Sequence, residues 1–308
     1  MLGIFFRRLL IAIPVILIVT SITFFLIRMA PGGPFDAEKT LPDQVLKNLN
    51  EVYNLDAPVL VQYKDYMINL LQGDFGPSFR YPGRSVTEMI FTGFPVTLEL
   101  AFYAIIVAII IGISAGVLAA VKRNTLFDYI PMTVAMIGIC MPTFLLGPLL
   151  VLYFGIYLEA LPVSGWDSLP GDKILPSVTL GAAYAAYIAR LSRGGMLETL
   201  NQDYIRTARA KGLSEFRVVF GHAMRGGLIP VISFLGPAAA GLIGGSFVVE
   251  TIFQIPGLGR FYVEAAFNRD YTMILGTTIF FSVLIIIFNL LSDLALLFAN
   301  PQSRGNNQ

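Results

Sequence analysis

The sequence predicts an all-α integral membrane protein with six transmembrane helices, and three observations carry that prediction. Of its 308 residues 56% are apolar and only 13% charged, with a mean hydropathy of +0.72, a composition that dissolves mainly in lipid. A bilayer-crossing helix needs roughly 20 mostly apolar residues, and that rule finds six candidate runs. No run alternates polar and apolar residues as a lipid-facing barrel strand would. That leaves the helix, which satisfies every backbone amide inside hydrocarbon.

The six runs lie at about 9 to 27, 95 to 121, 129 to 158, 174 to 189, 228 to 252 and 273 to 298. The first follows Arg7-Arg8 and is too long for the apolar core of a cleavable signal, with no small-x-small site after it, so it reads as an uncleaved span. The third carries Pro131, Pro142 and Pro148, each of which removes a backbone donor; one bent span, or a span plus a re-entrant piece, both fit. The fourth is short for a bilayer. Between spans, residues 29 to 94 form a mixed-polar segment with helical patches at Leu41 to Tyr53 and Val59 to Leu71 and a turn-rich end at Gly73-Asp-Phe-Gly-Pro-Ser78. The domain reading is therefore 1–94, a first helix with an extracytoplasmic cap, and 95–308, a five-helix core with a cytoplasmic loop at about 190–227.

Lys and Arg near span ends set orientation. With the N-terminus inside, the inner segments hold 12 basic residues against four acids and the outer segments, counted from residue 29, eight against thirteen, so both termini are predicted to be cytoplasmic. The net charge of +1 hides that asymmetry, and because the basic residues track one membrane side, nothing points to nucleic acid. Cys140 stands alone in an apolar run, which excludes a disulfide framework or a thiolate metal site within this chain.

The 190–227 loop is the partner-binding candidate. Arg206-Thr-Ala-Arg-Ala-Lys-Gly212-Leu213 is short, strongly basic and compatible with a helix; Asp203 and Arg206 fall one turn apart, and Gly212 is placed to end the helix in a left-handed cap. The plain alternative is a basic inner loop that only obeys the orientation rule.

Catalytic readings are weaker. Gly112-Ile-Ser114-Ala-Gly116 matches the G-x-S-x-G elbow, which would make the chain an intramembrane hydrolase, but the motif needs a strand-to-helix turn and a nearby histidine. This copy lies mid-span, and the sole histidine, His222, is cytoplasmic. Gly112 and Gly116 read instead as a small-xxx-small face that lets two helices approach. Among intramembrane acids, Glu99 and Asp293 lie near span ends, and Glu250, also near a predicted outer end, precedes a Pro/Gly loop and could line a gate. No G-x-x-x-x-G-K-[ST] occurs, so ATP-driven work would need a separate ATPase. A self-contained channel is a third reading.

With those residues in view, the chain resembles the permease subunits of bacterial ABC importers of the dipeptide/oligopeptide/nickel group. Tyr204 through Leu213, with His222 and Pro230 downstream, is similar to the cytoplasmic EAA-type loop of that group. In order along the chain, Met29-Ala-Pro-Gly-Gly-Pro-Phe35, Tyr53-Asn-Leu-Asp-Ala-Pro58, Gln62-Tyr63, Gly73 to Ser78, Phe94-Pro-Val-Thr97, Leu161-Pro162, Gly165-Trp166 and Gly245 to Gly259 resemble it too. The Pro31 to Phe35 start and Lys39-Thr-Leu-Pro42 look most like the B-type oligopeptide permease subunit. Two departures stand out: Arg206 and Thr207 replace the general loop's Glu and first Ala, and the end reads Phe298-Ala-Asn300-Pro301 where the group often has Asp-Pro-Arg.

The resemblance implies a type I importer membrane domain of the MetI-like fold in the bacterial inner membrane. It implies pairing with a second homologous permease, two ABC ATPase subunits that bind ATP and magnesium, and an extracytoplasmic peptide-binding protein, with no cofactor in this chain. Oligopeptides are the implied cargo; dipeptides, glutathione, and nickel or its chelates are the alternatives. Under it, residues 201–213 form a coupling helix seated in a groove of the ATPase: Asp203 and Arg206 at its start, Arg206, Arg209 and Lys211 for charge complementarity, Ala208 for close packing, Gly212 for the turn, and Leu213 as a further ATPase-coupling residue. Met141, Pro142, Phe144, Ser246 and Glu250 are the translocation-path candidates, because a helix broken at Pro142 frees backbone carbonyls that are tolerated beside a water-filled path.

Overall fold

The computed structural model describes residues 2–30, 33–35, 44, 47, 50, 51 and 53–299, with side chains described from 10 to 291 within those ranges. The Lys39 to Pro42 motif, most of the Leu41 to Tyr53 patch, Asn300 onward, and the side chains of Arg7, Arg8 and Asp293 lie outside the described residues. In chain order the helices are α1 Leu2–Met29, α2 Val59–Leu71, α3 Val86–Val121, α4 Leu126–Cys140, α5 Thr143–Leu150, α6 Ile174–Leu200, α7 Asp203–Ala210, α8 Met224–Gly227, α9 Ile229–Gly245, α10 Phe247–Ile252, α11 Leu258–Asn268 and α12 Tyr271–Ala299. Val151–Tyr157 and Arg217–Ala223 are wound as π-helix. No strand occurs among the described residues; one antiparallel bridge joins Pro77 and Ser85.

Five described helices are long and apolar enough to cross a membrane: 10–29, 86–121, 174–200, 229–252 and 271–291. The expected third span is not straight. α4 and the segment 143–157 pass the same test together but meet at 112°, so they make a sixth span only as a broken one. Pro142 causes the break: it has no N–H, and it forces the preceding Met141 out of helical geometry, to φ −85 and ψ 115. The second and fourth spans are longer than their apolar runs, α3 beginning at Val86 and α6 continuing to Leu200. Both helices continue beyond the apolar run, because the backbone ladder does not stop where that run does.

The chain divides into two compact units. One comprises residues 2–97 and 256–284. Here the motif residues of the 29–94 segment act as fasteners. Arg28 Nε donates to Gln62 Oε1 (3.0 Å), and Gln62 Nε2 donates to the carbonyls of Leu55 (2.9 Å) and Ala57 (2.8 Å), so one amide pins the Tyr53–Pro58 turn. Tyr63 and Ser21 share a hydroxyl bond of 2.6 Å, which binds α2 to α1. Buried Asp270 accepts from Ser78 Oγ and from the backbone N–H groups of Phe79, Arg80 and Met273, holding the Gly73–Ser78 turn at the start of α12.

The other unit comprises 98–255 with residues from 285 on. α6 is its axis, with fourteen buried residues along its length. Small side chains set the spacing: a Cβ on Gly112 would sit 2.7 Å from the Ala185 carbonyl oxygen, and one on Gly181 would sit 2.6 Å from that of Ala104. The Gly112/Gly116 face therefore packs α3 against α6 as expected. At the end of this unit where α6 begins, Lys173 Nζ reaches Glu99 (2.5 Å) and Asp167 (2.6 Å) and lies 4.9 Å over the Trp166 ring, while Trp166 Nε1 donates to Glu99 (3.1 Å). Glu99 is thus paired within the chain. The two carboxylates, Asp167 first and Glu99 second, raise the Lys173 ammonium above its usual range. Lys173→Met is expected to lower the thermal midpoint of the detergent-solubilised protein, at a cost of about 1–3 kcal/mol for hydrogen bonds to charged groups, with the lower end favoured by partial exposure.

Candidate functional site

α6 ends at Leu200, two residues turn the chain, and α7 runs from Asp203 to Ala210. The α7 sequence is amphipathic. Ile205 (0% exposed) and Ala208 (6%) enter a core made by Val117, Ala120, Met196, Val218, Val219 and Ala223, with Leu213 packed at its edge. Arg206, Arg209 and Lys211 stand on the exposed side. The helix is therefore seated by its apolar side and offers a basic side outward. Ala208 and Leu213, expected to meet a partner, instead touch the chain's own helices. The expectation of a left-handed stop is met: Gly212 has φ +78, and a Cβ there would find nothing within 4 Å, so the glycine serves conformation and not space.

The charges have distinct roles. Arg206 Nη1 lies 3.3 Å from Asp203 Oδ1, one turn back, but with both side chains mostly exposed that pair contributes little. Arg209 is engaged in a fork with Glu215, Nε to Oε1 at 2.8 Å and Nη2 to Oε2 at 3.2 Å, which closes the turn around Gly212. The guanidinium holds the Glu215 carboxyl below its ordinary range. A depressed carboxylate contributes above its unfolded value and loses that contribution as pH falls through the folded one, so the turn is intact at neutral pH.

The sequence reading missed an aromatic pair beside this helix. Phe216 (70% exposed), just before the π-wound segment, and Phe220 (53%) within it bring their rings to 4.5 Å at a 33° tilt, and with Leu213, Arg217, Gly221, His222 and Arg225 they line a shallow groove of about 500 Å³. Apolar residues at i and i+4 in a segment read only for its basic charge were the signal. His222 lies on this exposed rim.

The five path candidates do not share one surface. Met141, Pro142 and Phe144 flank the 112° break, with Phe144 65% exposed. Ser246 and Glu250 are wholly buried; the Ser246 hydroxyl donates to Glu250 Oε1 at 2.7 Å. The two groups are neighbours through α5 and α10, where Gly147 faces Ile252. Ser114 sits in the unbroken interior of α3, not on a strand-to-helix turn, so it lacks the geometry of a nucleophile elbow.

Residues 108–305 match the family model described as "Binding-protein-dependent transport system inner membrane component", and residues 1–101 match its N-terminal companion. The chain is 45% identical over 305 residues to the oligopeptide transport system permease protein OppB of Haemophilus influenzae, covering 99% of this chain and 100% of that one. It is 48% identical over 280 residues to OppB of Salmonella typhimurium, at 91% and 92% coverage. To the dipeptide transport system permease protein DppB of Bacillus subtilis it is 45% identical over 287 residues, 93% of each chain. Among solved structures, a chain of the inward-facing MetNI methionine ABC transporter shares the fold, with a TM-score of 0.59 at 17% identity over 69% of this chain and 96% of that one. The architecture is that of a type I importer membrane domain.

Proposed function

We propose that this chain, which belongs to the family of inner membrane components of binding-protein-dependent transport systems, imports oligopeptides as one permease of an ATP-driven ABC transporter. The observation that carries the cargo is 45–48% identity, over nearly the whole chain, to proteins named as oligopeptide permeases. A second homologous permease completes the membrane domain, two ATPase subunits bind ATP and magnesium, and an extracytoplasmic binding protein delivers the peptide. Both termini are cytoplasmic in this reading, which the bias of Lys and Arg toward the inner segments supports.

α7 is the coupling helix. Its exposed cations, Arg206 and Lys211, meet the ATPase; Asp203 and the Arg209–Glu215 fork shape its ends; Ile205, Ala208 and Leu213 fix it to the spans; Gly212 lets the chain turn back. Closure of the ATPase pair moves this helix and, through α6, the unit of 98–255. The path runs past the broken span at Met141-Pro142 and Phe144, since an interrupted helix is tolerated at membrane depth beside protein or a water-filled cavity, with the buried Ser246–Glu250 pair supporting α10 behind it. Weak, unselective contacts suit a path that must release every peptide it accepts.

Dipeptide import is the second reading, favoured by the 45% identity to the Bacillus subtilis dipeptide permease. Uptake of labelled di-, tri- and tetrapeptides in cells with and without this chain, the neighbouring genes being still expressed, separates them. Loss of ATP-dependent tri- and tetrapeptide uptake supports the proposal; loss of dipeptide uptake alone replaces the cargo; no loss of any peptide rejects peptide import.

A further inference from the structure

Inside the 98–255 unit, one ion pair lies away from both the coupling helix and the break at Met141-Pro142 and joins the helices that lead to each. Asp128 is in the first turn of α4 and 1% exposed. Its two oxygens accept a fork from Arg193 of α6, Nε to Oδ1 at 2.6 Å and Nη2 to Oδ2 at 2.8 Å, and Oδ2 also accepts the Asn124 N–H at 3.0 Å. A forked guanidinium–carboxylate pair fixes direction as well as distance. The partners' positions give it leverage. Arg193 stands seven residues before the end of α6, from which a two-residue turn leads directly into α7. Asp128 begins the helix that ends at the 112° break.

Around the pair, α4 and α6 meet largely through small residues, with Met132 and Ile139 of α4 packed against them. Ala135, Ala186 and Ala189 form a buried cluster, and from the other side Gly116 of α3 lies against Ala189, Ser192 and the Arg193 backbone. Small side chains permit close approach but resist sliding weakly, since alanine and glycine offer little to interlock, and Met132 and Ile139 are the larger side chains at this cluster. The fork is the directional contact across the α4/α6 seam.

We propose that the Arg193–Asp128 fork is a positioning latch: it locks α4 to α6 so that displacement of α7 by the ATPases is carried into α4 and to the break at Met141-Pro142. The proposal rests on the coupling role of α7 argued above. Neither residue touches the transported solute; they act by making two helices move as one. A purely structural pair would affect how much transporter assembles. A latch affects how much solute moves per ATP hydrolysed.

The test uses the complete transporter, with its partner permease, ATPases and binding protein, in lipid nanodiscs for hydrolysis and in proteoliposomes for uptake. Asp128→Asn combined with Arg193→Gln removes the charges while leaving hydrogen-bonding groups and avoiding a lone buried carboxylate. The latch predicts normal ATPase stoichiometry, retained hydrolysis stimulated by the binding protein, and solute uptake per ATP reduced about tenfold, within the usual range of coupling between sites. Arg193→Lys, which keeps the charge but not the fork, is expected to fall between the double variant and the original chain. A wild-type ratio of uptake to hydrolysis in the double variant overturns the proposal. So does a double variant that fails to assemble while Arg193→Lys behaves as wild type in every assay, since that assigns the pair to folding alone. If the wild-type transporter imports no peptide, the proposed cargo fails, and the same ratio measured with its actual solute still decides the latch.

Discussion

Replacing Gly116 with alanine is expected to cut the amount of folded transporter sharply, although the change adds a single methyl group. A Cβ built on Gly116 overlaps the Ala189 carbonyl oxygen and lies 2.5 Å from Ser192 Cβ and 3.0 Å from the Arg193 backbone nitrogen. Two of those three neighbours are backbone, so no side-chain rotation relieves the clash; α3 and α6 must separate. Overpacking of this kind costs about 1–3 kcal/mol, a large share of a marginal stability. Gly194 supplies the control. It lies on α6 as well, but a Cβ there meets nothing within 4 Å. Gly194→Ala is expected to be neutral or to stabilise by about 0.4–1 kcal/mol, because alanine surrenders less backbone entropy in a helix. Thermal unfolding of the solubilised transporter, monitored by size-exclusion recovery after heating, separates the two. Equal midpoints for the variants would mean that the α3/α6 seam can open without cost.

Much of the site was legible in the residues before any geometry was known. Chemistry with a local signature came through: the 3-residue spacing of Asp203 and Arg206, the left-handed Gly212, the helix Val59–Leu71, and the close approach at Gly112 and Gly116. Pro142 signalled a break, but its 112° angle depends on how α5 packs afterwards, which no dipeptide encodes. What stayed hidden was pairing between distant residues. Arg193 and Asp128 are separated by 65 positions, and Lys173 and Glu99 by 74, and no local pattern links residues so far apart. Burial of Ala208 was hidden for a related reason. Alanine in a basic helix fits a partner's groove and the chain's own core equally well, and only the arrival of Val218 and Val219 from the following segment decides between them.

Because α7 has one seated and one offered side, substitutions on its two sides are expected to fail in different ways. Arg206→Glu with Lys211→Glu reverses two exposed charges that the fold does not use for packing. Exposed substitutions of this kind change stability by about 0.5 kcal/mol or less, so the thermal midpoint stays put. Like charge set against a complementary surface costs several kcal/mol, so co-purification of the ATPases and peptide uptake should both fall by at least about tenfold. Rising salt should weaken the original complex in the same direction, since exposed charges are screened beyond about 10 Å at 0.1 M. Ile205→Ala acts from beneath: Ile205 is 0% exposed, and truncating it costs about 2–5 kcal/mol through lost burial and the cavity left behind. There the midpoint falls first, and ATPase binding is lost because the helix no longer holds its place. Gly212 gives a third, conformational failure. Gly212→Ala pays only the left-handed penalty of about 1–2 kcal/mol, whereas Gly212→Pro is incompatible with φ +78 and should abolish coupling. Pull-down of the ATPases and thermal unfolding, run side by side on all four variants, give the readout. If the charge-reversed chain retained its ATPases and its uptake, the basic side of α7 would be an orientation signal and not a docking surface.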